Sequence, residues 1–142
     1  MPGSSLWLTP PPSHPLYALL SQLIETTIPA HFPHATPRPP IFSPHLTLTS
    51  NIDPGTYADE PQKWLDGLAF PSASGIHVSF EKVKTEDVYY RRCYIKCAFD
   101  GVRDVAAIAR ARGVEGEAEV GEKTKAWLVE WKEAFGPHTS LL

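Results

Sequence analysis

Two segments of the chain repeat a pattern that can do acid and base chemistry. Residues 43–48 read S-P-H-L-T-L and residues 136–141 read G-P-H-T-S-L, so [SG]-P-H-x-[ST]-L occurs twice. In an extended strand, residues i and i+2 stand on one face about 6.6 Å apart. His45 and Thr47 therefore address the same space, and so do His138 and Ser140. Imidazole titrates near neutrality, so one neutral ring can accept a proton while a protonated one donates another. The hydroxyls can hold the non-bridging oxygens of a phosphate, and an imidazolium can offset charge that develops there. The candidate catalytic pair is His45 and His138, with Thr47 and Ser140 as phosphate ligands; which histidine is base and which acid stays open.

The bare H-x-[ST] core is a weak signal. Serine and threonine are 20 of 142 residues, so six histidines give about one match by accident, and the chain has four. His34 with Thr36 falls in a proline-rich loop, which cannot hold a pleated face. His77 with Ser79 lies in a plausible strand, but no proline precedes it and no helix comes before its strand in the same unit. A zinc site is not expected, because neither long motif has a Cys, Asp or Glu at ligand spacing.

These side chains need strands to aim them and helices to back the strands. SLWLTP, residues 4–9, reads as a short strand stopped by Pro10, Pro11 and Pro12. A helix follows, capped by Ser13 or His14 and started by Pro15, with Leu16, Leu19, Leu20, Leu23, Ile24 and Ile28 on one buried face, and ended by Pro29 and Pro33. The first motif strand should turn Leu46 and Leu48 one way and His45, Thr47 and Thr49 the other. Residues 60–68 read as a short helix. Ile76, Val78 and Phe80 begin a hairpin that turns around Thr85–Asp87 and returns from Val88 to Phe99. On the return strand Cys93, Ile95, Cys97 and Phe99 should share one face, with Tyr90, Arg92, Tyr94 and Lys96 on the other. Asp100 should cap a helix over 101–112 that Gly113 stops. The acidic segment 113–122 reads as a solvated connector, and 123–135 as an amphipathic helix through Trp127, Leu128 and Trp131. Strand, helix and motif strand recur in that order, which predicts a duplicated unit.

Composition narrows the function classes. Lys plus Arg number 13 against 16 Asp plus Glu, a formal charge of −3, so binding of a long nucleic acid by bulk charge is not expected. Hydrophobic residues at 42% can bury a core. Of the 15 prolines, eleven precede residue 45, where they mark the ends of elements and the entry to the first motif. No stretch approaches the roughly 18 apolar residues of a membrane span, and the N-terminus has no leader pattern. Cys93 and Cys97, four residues apart on one strand, are too far apart for a disulfide and read as reduced buried thiols.

The paired motifs HLTLT at His45 and HTSLL at His138, with SLWLTPP at the start, resemble the two-histidine (2H) phosphoesterase superfamily, within it the fungal 2',3'-cyclic-nucleotide 3'-phosphodiesterases. The resemblance runs from about Ser5 to the end. It implies an α+β fold, bilobal, with duplicated strand-helix-strand units and antiparallel sheets around a central cleft: a single domain over 1–142, with halves at about 4–58 and 76–142. It implies hydrolysis of nucleoside 2',3'-cyclic phosphates to 2'-phosphates and, in fungi, of ADP-ribose 1'',2''-cyclic phosphate, a by-product of tRNA splicing. The same resemblance gives His45 and His138 as acid and base, Thr47 and Ser140 on the phosphate, and no metal or other cofactor. Without a span or leader pattern the chain is expected to be soluble and intracellular, cytoplasmic, and a monomer; the resemblance alone points to Golgi association, known among fungal relatives.

Members of that superfamily continue past the second motif, whereas only Ser140, Leu141 and Leu142 follow Thr139 here. We therefore expect a C-terminally truncated chain in which the last strand has an open edge. The alternatives are a catalytically impaired module that binds nucleotides or RNA ends, and a phosphodiesterase or ligase acting on 2',5'-linked RNA. Tyr90, Arg92 and Tyr94 share a strand face where aromatic and guanidinium planes could stack on a nucleobase.

Overall fold

The computed structural model describes residues 3–88 and 92–142. Alternating segments form strands and periodic ones form helices, in the order β1 (Ser4–Leu8), α1 (Pro15–Gln22), α2 (Ile28–Ala30), β2 (Leu46–Ile52), α3 (Pro61–Asp66), β3 (Phe80–Lys84), β4 (Tyr94–Cys97), α4 (Arg103–Arg110), α5 (Glu122–Ala134) and β5 (His138–Ser140). The strands make one antiparallel sheet, β1-β2-β5-β4-β3, to which both halves of the sequence contribute. This departs from the expectation of an open edge at the second motif. β5 is the central strand, paired with β2 on one side and β4 on the other.

α1 starts as its sequence requires: Pro15 takes the first turn, and His14 Nδ1 accepts the Leu16 N–H at 3.1 Å. Leu20 and Ile24 are buried, but Leu19 is 56% exposed and leaves the predicted face. Pro29 does not end the helix. A π-helical stretch over Leu23–Thr27, in which the Ile28 N–H reaches the Leu23 carbonyl, leads into α2. The wider spacing gives room to a proline ring that would crowd the carbonyl four residues back.

The second unit differs from expectation in the same way. No side chain caps α4, so Asp100 does not serve there. The helix also passes Gly113, which is buried within a π-helical continuation over Ala111–Glu115, and stops at Gly116 in the left-handed region, φ 68°. The acidic segment then caps α5 instead of merely connecting. The Glu117 carboxylate accepts from Thr124 Oγ1 at 2.5 Å and from the Thr124, Gly121 and Lys123 N–H groups at 3.2–3.3 Å. The Thr124 hydroxyl bond, aided by those N–H groups, holds Glu117 below the ordinary carboxylate value.

Leu46, Leu48 and Cys97 of the sheet pack on Val105, Ala106 and Ala109 of α4 and Trp131 of α5, while Leu20 and Ile24 of α1 pack with Ile95, Cys93 and Leu141. Leu46 and Ile95 are both cross-strand partners of Thr139, so all these contacts lie on one face of the sheet. Full burial of a side chain such as Ile24 contributes about 1.5–3 kcal/mol. The free cysteines, Cys93 half-buried and Cys97 buried, belong to this face. Burial pushes the Cys97 thiol up to about 11.

Three strand expectations are corrected. Ile76–Ser79 precede β3 and are not strand, and among the described residues the return strand covers only Tyr94–Cys97, residues 89–91 lying outside them. Thr49 does not join the polar face: Leu6 pairs with Thr49 and Trp7 with Thr47, so β2 has an extra residue there, and Leu48 and Thr49 are both buried. Among the described residues, no helix is long and apolar enough to cross a membrane.

Candidate active site

The sheet face opposite the helices gathers both motifs. Leu46 pairs with Thr139. In that antiparallel register His45 stands across from Ser140, and Thr47 across from His138. Directly opposed side chains have Cβ atoms about 4.5–5.5 Å apart and diagonal neighbours lie about 7–8 Å apart. The two histidines form one diagonal of the quartet and the two hydroxyl residues the other, all four half-buried. A tetrahedral oxyanion the size of phosphate can sit among them.

The two imidazoles are oriented alike. His45 Nδ1 lies 2.7 Å from the Ser43 carbonyl, and His138 Nδ1 lies 3.1 Å from the Gly136 carbonyl. A carbonyl only accepts, so Nδ1 carries the proton in both rings and Nε2 is the basic nitrogen of the neutral form. The intervening prolines, Pro44 and Pro137, are fully buried. A proline fixes φ and thereby sets the turn that brings the carbonyl two residues back onto the ring. In the second motif that turn needs φ 58° at Gly136, a conformation glycine adopts freely, whereas Ser43 keeps negative φ.

Aromatic rings hold the imidazoles from the sides. Phe42 meets His45 edge-on at 6.0 Å and 72°, and Phe135 meets His138 edge-on at 5.5 Å and 70°. Both sit three residues before their histidine. The repeat therefore extends one position further than sequence reasoning took it, to F-[SG]-P-H-x-[ST]-L, and a comparison one residue upstream would have found it. Trp7, opposite Thr47 on β1, stacks on His45 at 3.8 Å and 14°. Sequence reasoning missed it, since nothing in the chain's spacing ties residue 7 to residue 45.

The residues proposed to stack on a base fare differently. Tyr94 is 2% exposed, its hydroxyl donates to Glu86 at 2.7 Å, and its ring meets His138 edge-on at 5.2 Å. A base cannot stack on a ring so buried, and Tyr94 buttresses the site instead. Arg92 is exposed, and Tyr90 lies outside the described residues. The two accidental motifs lie outside the strands: His34 is in the loop after α2 and His77 in the segment before β3, both exposed. An apolar groove of about 370 Å³ is lined by Leu8, Leu16, Leu20, Leu46 and Ile76 and also by His45. No group of three His, Cys, Asp or Glu placed to hold a metal ion occurs among the described residues.

Comparison with known proteins gives the family. The family model described as cyclic phosphodiesterase-like protein matches residues 1–142. A Neurospora crassa protein named 2',3'-cyclic-nucleotide 3'-phosphodiesterase is 51% identical over the whole chain and 71% of its own length. One of the same name from Phaeosphaeria nodorum is 46% identical over the whole chain and 69% of its length. A third of that name, from Yarrowia lipolytica, is 24% identical over 99% of the chain and 72% of its length. No solved structure matches the chain significantly. With a family model spanning every residue and two relatives near half identity over its full length, the chain belongs to the cyclic phosphodiesterase-like protein family.

Proposed function

We propose that the chain hydrolyses nucleoside 2',3'-cyclic phosphates to 2'-phosphates by two-histidine acid–base catalysis, and likewise opens ADP-ribose 1'',2''-cyclic phosphate, the by-product of tRNA splicing, to ADP-ribose 1''-phosphate. The observation that carries this reading is the crossed register, in which each histidine faces the other motif's hydroxyl residue and each holds its Nδ1 proton on a carbonyl two residues back. Both rings then work through Nε2. One, neutral, takes a proton from the attacking water as its oxygen bonds to phosphorus. The P–O3' bond breaks, and the other ring, protonated, delivers its Nε2 proton to O3'. The hydroxyls of Thr47 and Ser140 donate to the non-bridging oxygens, where charge grows in the transition state. The matching geometry of the motifs also supports a single domain built from two like halves, about 4–58 and 76–142, that meet at a cleft.

The test is incubation with 2',3'-cyclic AMP and with ADP-ribose cyclic phosphate, followed by phosphorus NMR. Appearance of the 2'-phosphate and the 1''-phosphate is expected. A 3'-phosphate product, or no product from either substrate, overturns the proposal.

A further inference from the structure

The face that holds the histidines continues into a group of lysines. Lys96 of β4 stands directly across from His138, and Lys82 of β3 stands directly across from Lys96; Lys84, opposite Tyr94, follows two residues along β3. One row across the sheet thus reads Trp7, Thr47, His138, Lys96, Lys82. Like charges directly opposed on a sheet repel, yet among the described residues none of the three lysines makes an ion pair. They gather in a chain whose formal charge is −3. Lysines on an edge strand do protect it from pairing with other chains, which would account for Lys82 and Lys84. It does not account for Lys96, because β4 is paired on both sides.

We propose that Lys96, Lys82 and Lys84 form a second anion subsite, which takes a phosphoryl group of the substrate other than the cyclic one. This rests on the hydrolytic reading of the quartet. Strands are 4.7–4.9 Å apart, so the β4 and β3 positions lie about 5 and 10 Å beyond β5. A phosphate or pyrophosphate on the same small nucleotide reaches that far. Three lysines are too few to hold a long RNA, which relies on many phosphate contacts.

Binding of two product-like nucleotides, adenosine 2'-phosphate and adenosine 2',5'-bisphosphate, reads the subsite without turnover. Calorimetry should show the bisphosphate binding the wild-type protein more tightly. The ratio of the two affinities should fall about fivefold in Lys96→Gln and again in the Lys82→Gln, Lys96→Gln double variant, the effect of losing one partly exposed ion pair at a time. Lys125→Gln, on α5, should keep the ratio. Equal affinity for the two nucleotides, or variants that move both affinities together as a merely edge-protecting role would, overturns the subsite. A lysine-dependent ratio in a protein that opens no cyclic phosphate keeps the subsite and overturns the hydrolytic reading.

Discussion

The indole of Trp7 lies flat against the imidazole of His45, 3.8 Å away and 14° from parallel, while Trp7 itself remains 51% exposed. The stack leaves the ring one plane in which to present Nε2. Trp7→Ala should therefore lower kcat on 2',3'-cyclic AMP about tenfold with a smaller change in KM, and cost about 0.5–1.5 kcal/mol of stability. Trp7→Phe should restore most of kcat. Equal losses in Trp7→Phe and Trp7→Ala would show that the stack does not orient His45.

His45→Ala and His138→Ala should each reduce kcat by about 10²–10⁴ while circular dichroism and melting temperature stay near wild type, because both side chains lie on the face away from the core. The double variant should be little worse than either single one, as expected of groups that act as a unit. Normal turnover in either variant would falsify the acid–base assignment.

Gly136→Ala should destabilise the protein by about 1–2 kcal/mol, since a residue with a Cβ must then hold φ 58°. Activity should fall further than stability explains, because the same turn aims the carbonyl at His138. Ser43→Ala should change neither, for there the orienting group is the backbone carbonyl. Chemical denaturation paired with kcat separates the two effects.

Glu117→Gln should lower the melting temperature at pH 7 by a few degrees through loss of the charged cap on α5. The carboxyl is held below its ordinary value of 4.5, so its contribution is complete above that pH and is lost as pH falls through the lowered folded value. Wild type and variant should thus converge in melting temperature once pH falls below the lowered folded value. A gap that persists at pH 2 would mean that the charge is not responsible.

Turnover should be insensitive to EDTA, because two histidines and two hydroxyls are a poor ligand set for zinc. Loss of activity on chelation, restored by a defined divalent ion, would replace the proposed chemistry with metal-assisted hydrolysis.

The two motifs, their strands and the helices behind them were legible because each depends on local periodicity or on a repeat. What escaped depends on pairing between distant segments. Trp7 meets His45 only once β1 takes its register on β2. Thr49 keeps strict alternation in the sequence, and the bulge that buries it arises from a mismatch with β1. Tyr94 looked like a polar-face residue until Glu86 and His138 closed around it. The lysines of β3 and β4 join the histidine face through the strand order β2-β5-β4-β3, which no stretch of sequence encodes alone. Phe42 and Phe135 are the exception, since their signal stood in the repeat itself.

Each histidine takes its orienting acceptor from its own segment, across one buried proline. Many catalytic histidines depend instead on a carboxylate supplied by a distant loop. Here a seven-residue stretch arrives with its ring already aimed and its tautomer chosen. Such a cassette is portable: copied into a second strand and paired antiparallel with the original, it sets two rings of the same tautomer on one face of a sheet.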